Sequence, residues 1–272
     1  MSPLTTDRRR LLLATAAALG GCAQTADRAA HSDTTAVEVI RSGTGRPPIV
    51  LEAGLGNGAG DWGGRPGQLL PQLAAVSEVF AYSRPGYGGS ARKTTARDPS
   101  TIARELRALL TARNVPPPYV LVGHSLGGLY MEVFAAMYPA ATSALILLDP
   151  THARQWEGMT SRARRDAAVV TALSAAFNQT MKAEFEASKT PPPALSSPFE
   201  GPVQLLLATR PDPLASAAFI ELRAELMRDL ASSYRTRPEP IDAGHFIHRD
   251  KPGSVVAAVQ RAVDAARTAP RR

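Results

Sequence analysis

Ser125 lies in the pattern Gly123-x-Ser125-x-Gly127, between an apolar run and a stretch with helical periodicity. A serine hydroxyl acts as a nucleophile when it is exposed and a base can remove its proton. A sharp turn from a strand into a helix exposes it, and glycines on both sides allow that turn because a Cβ atom would collide there. The pattern therefore predicts a nucleophilic serine at the top of a sheet, with a plain glycine-rich turn as the alternative.

The residues around this turn predict a strand before it and a helix after it. Residues 119–122 form an apolar run, and a helical pattern follows Ser125 to about Tyr138, before Pro139. The first amide groups of a helix have no partners inside it and lie at the positive end of its dipole. We therefore expect the start of this helix to stabilise negative charge that develops beside the serine.

A nucleophilic serine needs a base, and the chain has five histidines that could supply one. The base takes the serine proton and returns it to the leaving group. His245 follows Gly244 in the connection after the last predicted strand, and we predict that it is the base. The others are expected to have structural, pocket-lining or surface roles: His31, His124, His152 and His248.

Apolar strands alternate with amphipathic helices through most of the chain. Strands are expected at 37–40, 49–52, 78–82, 119–122, 144–148 and 203–208. Helices are expected at about 66–76, from 98, after Ser125, and at 215–232 and 253–267. This alternation predicts an α/β fold with a mostly parallel central sheet and helices on both faces. Residues 151–200 have helical patterns but no strand, so we expect a helical cap inserted into a core of residues 37–150 and 201–270.

The first residues are typical of an export signal. Asp7-Arg8-Arg9-Arg10 precedes an apolar run at 11–19, which is too short to cross a hydrocarbon core of about 30 Å as a helix. The end of this segment resembles a bacterial lipobox at Cys22, the only cysteine, which implies removal of residues 1–21, acylation of Cys22 and a flexible tether at 22–36. The arginines also resemble a twin-arginine signal. An ordinary cleaved signal and an uncleaved tether are the alternatives.

Two segments resemble the catalytic turns of the α/β-hydrolase family, and the resemblance extends over roughly residues 37–267. Gly123-His124-Ser125-Leu126-Gly127 resembles the nucleophile elbow, which implies Ser125 as nucleophile and the Leu126 amide as one oxyanion-hole donor. Leu51-Glu52-Ala53-Gly54-Leu55-Gly56 is similar to the family's oxyanion loop and implies the Leu55 amide as the second donor. Ala53 replaces the usual histidine, which a donor set of backbone amides tolerates.

Two further segments carry the same resemblance. Ser83-Arg84-Pro85-Gly86-Tyr87-Gly88-Gly89-Ser90 resembles the family's Asp-x-x-Gly-x-Gly-x-Ser loop, with Ser83 in place of the aspartate. Gly244-His245-Phe246-Ile247, followed by Pro252, resembles the loop of the catalytic histidine. The resemblance implies an α/β-hydrolase fold, a Ser-His-Asp triad and a helical cap insertion.

Two aspartates compete for the role of the acid that orients His245. Asp212 follows the strand at 203–208 and lines up with the family's strand–loop–Asp pattern, in the expected order of Ser125, Asp212 and His245. Asp149 ends the strand at 144–148, where some members carry their acid, although it could equally be a structural strand end. We favour Asp212 and keep Asp149 as the alternative.

The composition sets limits on partners and cofactors. A formal net charge of +7 could suggest a polyanionic partner, but no basic stripe interleaved with aromatic residues is present, so we expect no nucleic-acid binding. Residues 58–63 fit a Gly-x-Gly-x-x-Gly dinucleotide pattern, but Ser83 stands after the next strand where an acidic residue is needed. Potential metal ligands do not cluster at a useful spacing. We expect no cofactor, no metal site and a monomer.

Together these patterns predict a membrane-anchored bacterial lipoprotein outside the cytoplasm that hydrolyses small-molecule carboxylic esters through an acyl-enzyme. A serine nucleophile argues against the aspartate-dependent epoxide hydrolases and haloalkane dehalogenases of the same fold. Amidase, lactonase, lipase and cofactor-free haloperoxidase-like chemistry stay open, as does a non-catalytic binding protein that keeps the fold.

Overall fold

The computed structural model of the protein describes residues 36–63 and 68–269. The predicted signal peptide, Cys22, His31 and most of the predicted tether lie outside the described residues, so the statements about them stay predictions. No helix among the described residues is both long and apolar enough to cross a membrane.

Seven strands of the described chain form one sheet. They are β1 (Val39–Ser42), β2 (Ile49–Glu52), β3 (Val79–Tyr82), β4 (Tyr119–His124), β5 (Thr142–Leu148), β6 (Val203–Ala208) and β7 (Glu239–Ile241). Their spatial order is β1-β3-β2-β4-β5-β6-β7. β1 pairs antiparallel with β3, and all other neighbours are parallel. The predicted mostly parallel sheet is confirmed.

Helices form the connections between most of the strands. They are α1 (Leu69–Val76), α2 (Pro99–Ala112), α3 (Leu126–Met137), α4 (Gln155–Arg162), α5 (Arg164–Leu173), α6 (Gln179–Ala187), α7 (Ala217–Ser233), α8 (Ile247–Asp250) and α9 (Pro252–Thr268). Residues 149–202, all of which are described, contain α4, α5 and α6 and no strand. The sequence predicts a cap at 151–200, within this segment, and we call residues 151–200 the cap segment.

Apolar side chains from the helices cover both faces of the sheet. On one face α2 and α3 bury Leu106 and Phe134, and on the other α1 and α9 bury Leu73 and Val259. Successive strand residues point to opposite faces, so a strand covered on both sides is apolar throughout. Every residue of β4 is buried, as is all of β5 except the half-buried Ser143. This burial explains why these strands appear in the sequence as continuous apolar runs.

Helix α3 follows the serine and is almost entirely buried, including the carboxyl group of Glu132. Tyr234 donates a hydrogen bond to Glu132 Oε1 at 3.0 Å, while Oε2 has no partner among the described residues. Burial raises the pKa of Glu132 to about 8, and the hydrogen bond from Tyr234 offsets this only in part. The carboxyl group is therefore mostly protonated in the folded protein at neutral pH.

Replacing Glu132 with glutamine should change how stability depends on pH. Between the ordinary glutamate pKa of 4.5 and the folded value of about 8, the folded protein holds a proton that the unfolded chain has released. The wild type should therefore lose roughly 3–4 kcal/mol of unfolding free energy between about pH 5 and about pH 8.5, a loss that Glu132→Gln should not show. Urea unfolding across this range measures it, and parallel pH profiles for the two proteins would contradict the argument.

Candidate active site

The chain makes a sharp bend at Ser125, between the end of β4 and the start of α3. Ser125 has a φ of 54°, in the left-handed region that non-glycine residues rarely adopt. Its backbone is held from three sides: its amide donates to Leu148 O at 3.1 Å, and its carbonyl accepts from Gly128 N at 2.9 Å and Thr151 N at 3.0 Å. The predicted strand–turn–helix around the serine is therefore present.

Two glycines make the bend possible because other backbone segments occupy the space of their missing side chains. A Cβ atom on Gly123 would lie 2.5 Å from Gly127 O, and one on Gly127 would lie 2.3 Å from Glu52 O. Real Cβ atoms do not approach backbone this closely, so neither position accommodates a side chain without movement of the strands. The steric reason predicted for the glycine spacing is confirmed.

The loop after β2 lies against the serine. A Cβ atom on Gly54 would be 3.1 Å from Ser125 Cβ, and Leu55 follows directly in the chain. Leu126 is the first residue of α3, so its amide has no partner inside the helix. Within the described chain, neither the Leu55 amide nor the Leu126 amide donates a hydrogen bond. Both predicted oxyanion donors are thus unused and belong to segments next to Ser125.

His245 is paired with a buried aspartate at the end of β5. His245 Nδ1 and Asp149 Oδ2 are 2.7 Å apart, and the Asp149 side chain is 5% exposed. Asp149 Oδ1 accepts a hydrogen bond from Ala208 N at 2.9 Å and forms an ion pair with Arg223. These contacts fix the carboxylate against β6 and leave its other oxygen for the imidazole. No local pattern in the sequence indicated the role of Arg223.

The structure contradicts the preference for Asp212 as the partner of His245. Asp212 is exposed, and its Oδ1 accepts from Leu214 N at 2.8 Å within its own loop. The physical reason lies in the chain after each strand. Asp149 directly follows β5, and the Ala208 amide and Arg223 hold its buried carboxylate beside His245. Asp212 lies beyond the end of β6 in a loop that is exposed to solvent.

His245 lies next to the elbow without a hydrogen bond to the serine. Its carbonyl is 2.9 Å from Nε2 of His124, the residue before Ser125, and the two imidazole rings are 4.7 Å apart between centroids. No hydrogen bond joins Ser125 Oγ to the His245 ring among the described residues. Catalytic hydrogen bonds are often loose in the free enzyme and tighten when substrate binds.

His124 and His248 hold the loop at 244–247, which carries His245 and which we call the histidine loop. His124 is buried, and burial, with His245 and His248 nearby, lowers its pKa well below the ordinary value. The neutral His124 ring can then donate from Nε2 to the carbonyl of His245. His248 is also buried, with Nε2 3.1 Å from Asp61 Oδ2. Both contacts fit the structural roles expected from the sequence.

Asp61 was the residue that sequence reasoning missed in the glycine-rich segment 58–63. It lies on a 3₁₀ turn, Ala59–Trp62, and forms an ion pair with Arg249 as well as the contact with His248. Burial alone would raise the pKa of Asp61, but these two partners lower it overall. Potential ligand atoms of Asp61, His124 and His248 lie within 4.8 Å of one another. Since Arg249 already balances the Asp61 charge, the cluster is best described as a tether for the histidine loop.

Ser83 replaces the aspartate expected from the resemblance, and Glu38 supplies a carboxylate in its place. Ser83 Oγ donates to Glu38 Oε2 at 2.6 Å and accepts from Ala59 N at 2.9 Å. Glu38 Oε2 also accepts from Gly89 N at 3.0 Å. The carboxylate that stabilises the loop at 83–90 therefore comes from just before β1, far away in the sequence.

A cavity of about 380 Å³ lies between α3, α7 and residues 191–198. His152 lines it, with Nε2 3.3 Å from Asp229 Oδ2, and burial lowers the pKa of His152. Ala153 and Leu195 also line it, and both pack against the small apolar cluster that contains Leu126. His152 therefore lies in the wall of this cavity, whose lining among the described residues does not include Ser125 or His245.

Comparisons with known proteins identify the family and the fold. The sequence model of the alpha/beta hydrolase family matches residues 49–268. An esterase from Thermogutta terrifontis is 18% identical, with a TM-score of 0.59 over 85% of this chain and 94% of its own. The structure of E-2-(acetamidomethylene)succinate hydrolase is 18% identical, with a TM-score of 0.63 over 85% of this chain and 97% of its own. These likenesses show the α/β-hydrolase fold, as predicted, and nothing finer.

A curated relative matches a shorter segment. The (lyso)-N-acylphosphatidylethanolamine lipase of Mus musculus is 34% identical over 108 residues, which are 39% of this chain and 30% of the lipase. The chain spans less than half the length of the curated relatives it matches.

Two glycine-to-alanine substitutions should differ widely in their effect on the free energy of unfolding. Gly127→Ala should cost on the order of 3 kcal/mol of unfolding free energy or more, because its Cβ would meet the carbonyl oxygens of Glu52 and Ala53 at 2.3 and 2.6 Å. Gly60→Ala is the matched control, since a Cβ there meets nothing within 4 Å, and its change should stay within about 1 kcal/mol. Urea unfolding of both variants tests this, and equal stabilities would refute the packing account.

Proposed function

Because the chain belongs to the alpha/beta hydrolase family, we propose that it is a serine hydrolase that cleaves carboxylic esters through an acyl-enzyme intermediate. One observation carries the proposal: the 2.7 Å contact between the buried Asp149 carboxylate and His245 Nδ1, beside a serine in a left-handed bend. A carboxylate-oriented imidazole next to an elbow serine is the arrangement that acyl transfer requires.

In the proposed reaction, Ser125 Oγ attacks the ester carbonyl carbon while His245 Nε2 takes the hydroxyl proton. Asp149 accepts the hydrogen bond from Nδ1–H, which keeps Nε2 free as an acceptor and stabilises the imidazolium. The Leu55 and Leu126 amides are the donors for the oxyanion of the tetrahedral intermediate. Collapse expels the alcohol, which takes the proton from His245. Water, deprotonated by the same base, then attacks the acyl carbon and releases the carboxylic acid.

Esters are favoured over the other substrates of this fold for two reasons. Serine forms a carboxylic ester with the acyl group, whereas an epoxide or a haloalkane has no carbonyl carbon for this machinery to attack. The apolar cluster that contains Leu126, with Leu55 packed against it, also provides an apolar surface at the elbow, which suits the alkyl part of an ester. One protein of similar fold is itself named an esterase.

The wild-type protein should hydrolyse p-nitrophenyl esters and be labelled by a fluorophosphonate probe at Ser125. Ser125→Ala should lose both, because the probe and the ester each form a covalent bond to the same oxygen. Circular dichroism shows whether the variant is folded. A folded wild type that is neither labelled nor active would end the enzyme proposal and favour a binding protein with this fold.

Replacing each aspartate in turn identifies the acid. Asp149→Asn should lower kcat about 10⁴-fold, because asparagine can hold His245 in the wrong tautomer. Asp212→Asn is the matched control and should keep kcat within about twofold, since Asp212 bonds only within its own loop. Steady-state ester hydrolysis measures both. A larger loss at Asp212, or equal losses at the two positions, would overturn the assignment of Asp149.

A further inference from the structure

A buried arginine holds the loop that carries one of the oxyanion donors. Arg84 is 1% exposed and lies in the loop after β3. Its Nη1 donates to Ala53 O at 2.6 Å, and its Nη2 donates to Gly54 O at 3.0 Å. Both carbonyls belong to the loop after β2 and directly precede Leu55. Arg84 therefore binds the backbone of the oxyanion loop, in addition to the Glu52 carboxylate at the end of β2.

The bond to Gly54 determines where the Leu55 amide points. Gly54 C=O and Leu55 N–H belong to one peptide group, and in a trans peptide the two bonds lie in one plane and point in opposite directions. Fixing the carbonyl toward Arg84 therefore directs the N–H away from Arg84, within the same plane. Gly54 lies against Ser125, so this peptide group is next to the proposed nucleophile. The guanidinium charge also polarises the peptide group and makes its N–H a stronger donor.

The other side of the guanidinium binds a carboxylate of the cap segment. Glu184 on α6 is fully buried, and it accepts from Arg84 Nε at 3.1 and 3.2 Å and from Nη2 at 3.1 Å. Glu52, at the end of β2, binds Nη1. Burial alone would lower the pKa of Arg84, but Glu184 and Glu52 raise it well above its ordinary value, so the charge persists.

Helix α6 also packs directly on the oxyanion loop and on the loop at 83–90 that carries Arg84. A Cβ atom on Gly56 would be 3.1 Å from Met181 Cε, and one on Gly86 would be 2.2 Å from Thr180 Oγ1. Tyr87 adds a hydrogen bond to Glu184 Oε2 at 2.8 Å. The position of α6 is thus set by the oxyanion loop and by the loop of Arg84 together.

We propose that Arg84 is a positioning residue for the oxyanion hole, and that docking of α6 through Glu184 completes the hole. This inference rests on the proposed function, because it concerns how the Leu55 amide meets the oxyanion. A planar guanidinium can bind two carbonyls and a carboxylate at once, which a lysine ammonium cannot do in the same geometry. Ester hydrolysis is therefore coupled to the docking of the cap segment.

Three variants test this role, each normalised to active sites by fluorophosphonate titration. Arg84→Lys keeps the positive charge but loses the planar set of guanidinium N–H donors. Glu184→Gln keeps the shape of the side chain but loses its negative charge. Arg97→Lys is the matched control, because Arg97 is also a buried partner of Glu184 but contacts neither loop carbonyl. Steady-state kcat and KM are measured with a p-nitrophenyl ester. The Ki of a trifluoromethyl ketone, whose serine adduct carries an oxyanion, measures how well the oxyanion hole binds that negative charge.

Arg84→Lys should lower kcat per active site about 10–100-fold, with KM changed less than about threefold, because the oxyanion exists only in the transition state and the intermediates. The ketone Ki should rise by a similar factor. Glu184→Gln should show the same pattern at about 3–10-fold, and Arg97→Lys should stay within about twofold. A role limited to stability would reduce the number of active sites and leave kcat and Ki per site unchanged.

Several results would overturn the proposal. Unchanged kcat and Ki per site in Arg84→Lys, with an active wild type, would refute the positioning role and leave the proposed function intact. Equal losses in Arg84→Lys and Arg97→Lys would assign the effect to general disruption of the buried ion pairs. Wild-type values for Glu184→Gln beside an impaired Arg84→Lys would refute the coupling to α6. An inactive, unlabelled wild type would instead refute the proposed function.

Discussion

The close approach of two backbone segments at Gly127 determines how the proposed site is assembled. Because Gly127 has no side chain, the first turn of α3 can lie against the carbonyl oxygens of Glu52 and Ala53. That contact permits the left-handed bend at Ser125. It also places the loop after β2 beside the start of α3, so the amides of Leu55 and Leu126 belong to segments that touch. The positions of the proposed nucleophile and its two proposed donors thus follow from one packing contact.

Buried carboxylates hold the remaining loops at this end of the sheet. Asp149 joins His245 to β6, Asp61 binds the histidine loop through His248 and Arg249, and Glu52 is joined to Arg84. Buried ion pairs add little net stability, because desolvation offsets much of their attraction, yet losing one partner leaves an unpaired buried charge. These pairs therefore select one loop arrangement more than they stabilise the fold. Glu132 differs, because its carboxyl group is mostly protonated and needs no cation.

The sequence was informative where the determining forces are local. The apolar runs at 49–52 and 203–208 coincide with β2 and β6, and the glycine spacing indicated the bend. The first strand was expected at 37–40 but spans Val39–Ser42, because its register is set by antiparallel pairing with β3. Boundaries that depend on such pairing are not visible in a single segment.

Contacts between distant residues could not be predicted in the same way. Glu184 meets Arg84, Glu38 meets Ser83, and Arg223 meets Asp149 only because the strand order brings separate loops together. Asp149 and Asp212 both follow strands, and only their tertiary partners distinguish them: Ala208 and Arg223 hold Asp149, whereas Asp212 bonds within its own loop. Cys22 and the leader stay predictions, because they lie outside the described residues.

In the proposed reaction Ser125 becomes covalently acylated while His245, held by Asp149, moves the proton. Mass spectrometry of peptides from the protein, after acid quenching during turnover of a p-nitrophenyl ester, tests this. The acyl group should be found on the peptide that carries Ser125 and should be absent from Ser125→Ala. Turnover with no acyl group on that peptide, or with the acyl group on another residue, would contradict it.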